Sequence, residues 1–279
     1  MARPSPLLNL LPAVEEAVAR RSDDALARLR AEILSGKRKP GATLPAEREL
    51  AEHFATNRTT LREALRSLEG ERLVRIRHGE ETVVLDWRRA AELNLLPAWL
   101  GDSTSPLGER LAAIRDLQAL RTALLVEAVG KAATHATTAD LASLRAALKQ
   151  ITPGAGLAAM EHEVDFFREL LVATHSLVGT WVFNTFARTF AQLAKRFPSV
   201  WAITPAHVDR LGALVELIAQ RKPREAEKAL AALLHAGDRA AEARVAEVAV
   251  ALGLLSAAEA KQLINGTTAK PTRATRRRT

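Results

Sequence analysis

Apolar residues recur at three- and four-residue spacing through most of this chain, and the rhythm changes to alternation chiefly at 73–86. Leu26, Leu29, Ile33 and Leu34 predict a helix that starts at Ser22, carries Asp23 and Asp24 in its first turn and stops at Ser35-Gly36. After the loop KRKPGATLP, Pro45 opens a second helix that runs to about Phe54 and buries Leu50, Ala51 and Phe54. Ala55 and Thr56 make a turn. Asn57 then caps a third helix from Arg58 to about Gly70, with Leu61, Ala64, Leu65 and Leu68 on its inner face. Two strand-like runs follow, LVRIR at 73–77 and TVVLD at 82–86, joined by the turn HGEE. Three helices and a hairpin in this order make a winged helix-turn-helix.

A short helix holding Trp87, Leu93, Leu95, Leu96 and Leu100 leads out of the hairpin, and 101–108 has linker composition. From there to 247 every segment reads as helix, in pieces at about 107–135, 138–150, 156–175, 177–197, 204–221 and 223–247. Thr138 with Asp140, Pro205 and Pro223 mark helix starts. Ser256 caps a last short helix, 257–264. The expected organisation is a leading segment at 1–20, the winged domain at 21–86 and a connector at 87–105. A helical bundle for effector binding and dimerisation follows at 106–250, then a short helix and basic disordered tail at 251–279. The fold class is mainly α: an N-terminal winged helix-turn-helix plus a C-terminal all-α bundle.

Composition narrows the function. With no cysteine, disulfides and thiolate metal sites are excluded. No apolar run reaches the ~20 residues that span a bilayer, and Glu15 and Glu16 follow the short apolar patch near the start, so a cytoplasmic protein without a secretory leader is expected. The net charge is +8, but +5 of it lies at Lys270, Arg273, Arg276, Arg277 and Arg278, leaving +3 for the other 266 residues. A nucleic-acid partner therefore has to be argued from local faces. The third helix offers one. Arg58, Thr59, Arg62 and Arg66 share its outer face, and Arg grips guanine O6 and N7 bidentately while Thr reaches a phosphate or a thymine methyl. Arg48 is placed to touch backbone as the second helix crosses the groove, and His78-Gly79 sits at the hairpin tip, small enough to enter a minor groove.

LPAERELAEHFATNRTTLREALRSLEGERLVRIRHG, residues 44–79, resembles the GntR-family winged helix-turn-helix. The RTTLRE core, the RHG tip and the Trp87…LeuAsnLeuLeu continuation resemble its FadR subfamily in particular. The resemblance implies double-stranded operator DNA as partner, with Arg48, Arg58, Thr59, Thr60, Arg62, His78 and Gly79 as contacts. Glu80 and Glu81 follow the tip glycine where the subfamily carries a basic residue, so weaker wing contacts are expected.

DFFRELLVATHS, 165–176, resembles the central helix of the subfamily's effector and dimerisation bundle. Many such bundles hold a divalent metal on an Asp and three His. The matching positions here are Val164, Arg168, Leu211 and Leu233, so no metal and no other cofactor is expected. Metal-free relatives take long-chain acyl-CoA. The aromatic run Trp181, Phe183, Phe186, Phe190 and Phe197 is first of all core packing. As an acyl tunnel it would use Phe190 and Phe197, with Arg121, Arg168, Arg188 or Lys195 meeting a carboxylate or phosphate. The CoA-cradling segment departs from the pattern, since 233–241 places Leu234, Gly237 and Ala241 where Gly, Ser and Trp are usual. The expected function is an effector-responsive, homodimeric, sequence-specific DNA-binding transcriptional regulator, its effector a fatty acyl-CoA or an organic acid. The alternative is an architectural DNA-binding protein without an effector, which the basic tail favours and the large apolar bundle disfavours. No nucleophile elbow, phosphate loop or catalytic carboxylate pair is present, so no enzyme is expected.

Overall fold

The computed structural model describes residues 21–76, 81–101, 105–251 and 256–264, with backbone alone described at 21–24, 199 and 262–264. The leading segment, the hairpin tip with His78 and Gly79, and the basic tail lie outside the described residues. The described residues form two compact units: one from the stretches 1–113 and 185–196, the other from 114–184 and 197–279.

In the first unit, α1 (Arg21–Leu34) and α3 (Arg58–Gly70) pack together, with α2 (Glu47–His53) against α3. Leu29, Ile33, Leu50, Leu61, Leu65 and Leu68 are essentially fully buried. At about 1.5–3 kcal/mol per large apolar side chain, this small core is the main force holding the three helices. α2 is shorter than Pro45 suggested, because Ala46 takes the N-cap and Pro45 stays outside. α3 runs over the expected residues, and the Asn57 side chain accepts a hydrogen bond from the Thr60 amide at 2.8 Å. Asn57→Ala is expected to lower stability by about 1 kcal/mol in urea unfolding, since it strips the α3 amides of that acceptor.

β1 (Val74–Arg75) and β2 (Val83–Val84) pair antiparallel, Val74 opposite Val84, and Thr43 adds a bridge to Val83. Both strands are shorter than their alternating runs. Glu69 of α3 ties the end of the first to the helix by accepting from the Ile76 amide at 2.8 Å. A half-buried Arg30–Glu71 fork, at 2.6 and 2.8 Å, links α1 to the residue after α3. α4 (Trp87–Ala90), a 3₁₀ turn (Leu93–Leu95) and α5 (Leu96–Leu100) follow, and Trp87 and Trp99 stack at a tilt with centroids 6.2 Å apart.

The second unit is built from the rest of α6 (Leu107–His135) with α7 (Thr138–Gln150), α8 (Leu157–Val172), the start of α9 (Leu177–Arg196), α10 (Pro205–Ala219), α11 (Pro223–Ala251) and α12 (Ala257–Ile264). α7 begins at Thr138, but its cap is Thr137, in a capping box with Asp140. The Thr137 amide and hydroxyl hold the Asp140 carboxyl below its ordinary range. An acid lowered in this way stabilises the fold above its unfolded-state pKa and ceases to do so as pH falls through the folded one. Asp140→Asn is therefore expected to flatten the acid limb of a stability-versus-pH curve measured by urea unfolding.

Reading every segment after 106 as helix missed one element. β3 (Gly154–Ala155) pairs antiparallel with β4 (Ala202–Ile203), Gly154 opposite Ile203. Pro153 and the two glycines at 154 and 156 disfavour helix there, and Gly156 takes φ +90, open to glycine and rarely to other residues. The Gly156 amide also donates to the Trp201 carbonyl at 3.0 Å. α8 and α10 start directly after these strands, so the ribbon sets the ends of two helices. α11 exceeds its expected end by four residues and reaches Ala251.

Candidate functional site

The first candidate surface is the outer face of α2 and α3. Arg58, Thr59, Arg62 and Arg66 are exposed and Thr60 is half-buried, while Leu61, Ala64, Leu65 and Leu68 on the opposite side are buried. The amphipathic spacing thus turns the arginines outward by anchoring the leucines. The first turn of α3 carries no acid, so its free amides and positive dipole end stand beside Arg58 and Thr59. The turn before it places Ala55 at φ 50, a left-handed conformation that brings α2 and α3 together within a few residues.

Arg48 of α2 and Arg62 of α3 carry acid partners. Arg48 lies 3.6 Å from Glu52 one turn on, with both side chains more than 70% exposed, a pair worth little. Arg62 donates from Nε to Glu47 Oε2 at 2.7 Å, across the turn from α3 to α2. Helical spacing along α3 does not reveal Glu47 as the partner of Arg62. The pair is fifteen residues apart and leaves no i, i+4 signature.

The second candidate site is a cavity in the other unit, lined on one side by β4. Arg121 of α6, Met160 and Glu163 of α8, Ile203 of β4, His207 of α10, and Asp238 and Arg244 of α11 line it. Its volume is about 60 Å³. Arg121 Nη2 donates to both oxygens of Asp238, at 2.8 and 2.9 Å, with both side chains largely buried. Burial pushes the Asp238 carboxyl up, and the attraction of Arg121 does not offset it. His207 Nε2 meets Glu163 Oε1 at 2.6 Å. Arg244 Nε donates to the Val200 carbonyl at 2.7 Å, and burial lowers its pKa.

Of the five effector residues expected from sequence, Arg121 lines this cavity and the others do not. Arg168 is held by Asp165 and by Asn184 Oδ1, the latter at 3.3 Å. Arg188 is exposed and Phe190 is packed in the first unit, while Phe197 is 37% exposed. Phe183 and Phe190 of the aromatic run are buried, as core packing requires, while Trp181 at its start is 59% exposed. Sequence reasoning missed Glu163, Asp238 and Arg244, whose partners lie far along the chain. Among the described residues no group of three or more His, Cys, Asp or Glu is placed to hold a metal, and Leu211 and Leu233 are buried apolar side chains. No described helix is long and apolar enough to cross a membrane.

Comparison with known proteins places both regions. Residues 21–84 match the family described as bacterial regulatory proteins, gntR family, and residues 116–236 match the FCD domain. The HTH-type transcriptional regulator Mce2R of Mycobacterium tuberculosis is 28% identical over 225 residues, 78% of this chain and 90% of that protein. A second, uncharacterised HTH-type regulator of the same species is 34% identical over 160 residues, 55% of this chain and 63% of that one. A fatty acid metabolism regulator protein of Edwardsiella ictaluri is 38% identical over 86 residues, 30% of this chain and 36% of its own length.

Proposed function

Because the chain belongs to the GntR family of transcriptional regulators, with an FCD effector domain behind its winged helix, we propose how it reads DNA and what it senses. Two copies bind a pseudo-palindromic operator, each laying α3 in a major groove. Arg58, Thr59, Thr60 and Arg62 contact DNA from α3, Arg48 meets backbone from α2, and His78 and Gly79 reach the adjacent minor groove. The observation that carries this reading is the exposed Arg58–Thr59–Arg62 face set directly over the buried leucines of the same helix. The winged domain spans 21–86 and the helical effector domain 106–250. The protein works in the cytoplasm and catalyses no reaction.

The effector enters the cavity between α6, α8, α10 and α11. Arg121 and Arg244 on its wall, beside the carboxylates of Glu163 and Asp238, support an acid. Its volume of about 60 Å³ favours a short carboxylic acid over a long acyl thioester, whose chain needs a pocket of several hundred Å³. Such an acid regulates by preferring the arrangement of the two heads that does not fit the operator. The test is selection of duplexes from a genomic pool by the full chain. Sedimentation of the selected complex and thermal shift with a panel of short and long acids follow. Two chains per duplex, an inverted repeat in the selected pool and stabilisation by a short acid are expected. Selection without sequence preference, together with no stabilisation by any acid, would instead establish the architectural alternative.

A further inference from the structure

Arg62 has five N–H donors, and in the free protein Glu47 takes the one on Nε at 2.7 Å. The remaining four are on the two Nη atoms, at the end of the planar fork. A carboxylate at Nε fixes the plane of the guanidinium and leaves its end free. That end is the edge that can grip guanine O6 and N7 as a pair. Glu47 sits in the first turn of α2, where the helix dipole favours a negative charge. Its side chain is 38% exposed against 62% for Arg62, so the acid is the better-held partner. Glu52 is engaged separately with Arg48, so two of the three acids of α2 serve different arginines.

We propose that Glu47 is a positioning residue for DNA recognition: it holds Arg62 for end-on bidentate reading of a guanine and opposes its use as a loose phosphate anchor. The proposal rests on the reading of α3 as the recognition helix. Two effects act together. Freezing the long Arg62 side chain before binding removes part of the rotamer entropy that reading a base would otherwise lose. The carboxylate, held against a face that approaches phosphates, also repels every duplex alike, so only a duplex offering the guanine pair recovers the loss. A simple staple between α2 and α3 would contribute to stability and leave discrimination unchanged, since exposed pairs of this kind are weak.

The experiment is an anisotropy titration of the full chain with three duplexes: a fragment selected by the wild-type protein, the same fragment with the Arg62-dependent G·C pair replaced, and a scrambled one. Wild type, Glu47→Gln, Glu47→Asp and Arg62→Ala are compared across salt concentrations, with thermal melting as a fold check. Glu47→Gln is expected to bind the scrambled duplex more tightly and to lose about fivefold in discrimination at the replaced pair. Glu47→Asp keeps the charge but withdraws the carboxylate, so it is expected to bind the scrambled duplex as weakly as wild type yet still lose discrimination. If Arg62→Ala abolishes discrimination while both Glu47 variants retain it, Glu47 has no positioning role and the recognition helix stands. If Arg62→Ala also leaves discrimination intact, the reading of Arg62 beneath the proposal falls, and the proposal with it.

Discussion

Arg121→Met lowers the unfolding free energy by about 3–5 kcal/mol in urea unfolding, the largest effect expected of any single replacement in the cavity. The reason is what remains. Arg121 and Asp238 are only 13% and 16% exposed, and the arginine donates to both carboxylate oxygens. Removing the cation leaves a largely buried carboxylate without its partner. Replacing both partners, with Arg121→Met and Asp238→Leu together, is expected to recover most of the loss, because neither charge then has to be desolvated. The double variant should also lose stabilisation by short acids, since the anion's partner is gone. Recovery of stability with loss of ligand response separates the structural from the binding role of Arg121; a double variant that still responds to acid would remove Arg121 from the ligand site.

Asp238 adds a pH signature with the opposite sign to Asp140. Burial raises its carboxyl pKa in the folded state, and Arg121 and His235 pull the other way without offsetting that rise. The native protein therefore holds a proton at pH values where the unfolded chain has released it. The stability from this group is fully present below the unfolded carboxylate value and is lost as pH rises through the folded one. The stability difference between wild type and Asp238→Asn should accordingly shrink with rising pH across that window. A difference that grows instead would mean that the Arg121 attraction dominates.

The reach of sequence reasoning follows from the range of the interactions involved. α3 was legible to its ends because its determinants are local: an Asn57 cap, leucines at helical spacing and a terminal Gly70. The ribbon of β3 and β4 was not. Each strand is two residues long, and its partner lies about fifty residues away, so neither alternation nor a hairpin turn marks it. The site divides in the same way. The outward arginines of α3 follow from periodicity, whereas Glu47–Arg62, Arg121–Asp238 and Glu163–His207 are pairings made only by tertiary packing. The aromatic run shows a related limit. Helical spacing puts Trp181, Phe183, Phe186 and Phe190 near one another in sequence, but α9 passes from one compact unit to the other between Asn184 and Thr185. A stripe that looks continuous in sequence therefore serves two cores.

Arg62→Ala weakens binding to the selected operator by about 1–3 kcal/mol and relaxes the preference at one base pair, measured by anisotropy at fixed salt. The magnitude is that of a bidentate arginine–guanine contact. The structure also predicts how the loss should depend on salt. An arginine bound to phosphate releases a counterion, and its removal makes the salt dependence shallower by about one unit of slope. An arginine already neutralised by Glu47 at 2.7 Å and aimed at a base should leave the slope nearly unchanged while specificity falls. Arg58 has no acid in its helical turn and stands at the free amide end of α3. Arg58→Ala should therefore behave in the opposite way, weakening operator and scrambled duplexes together and flattening the salt dependence. Two arginines four residues apart on one face would thus separate into a base reader and a backbone anchor. Equal salt slopes and equal specificity losses for the two variants would overturn that division, and wild-type operator affinity in Arg62→Ala would remove Arg62 from the DNA contacts.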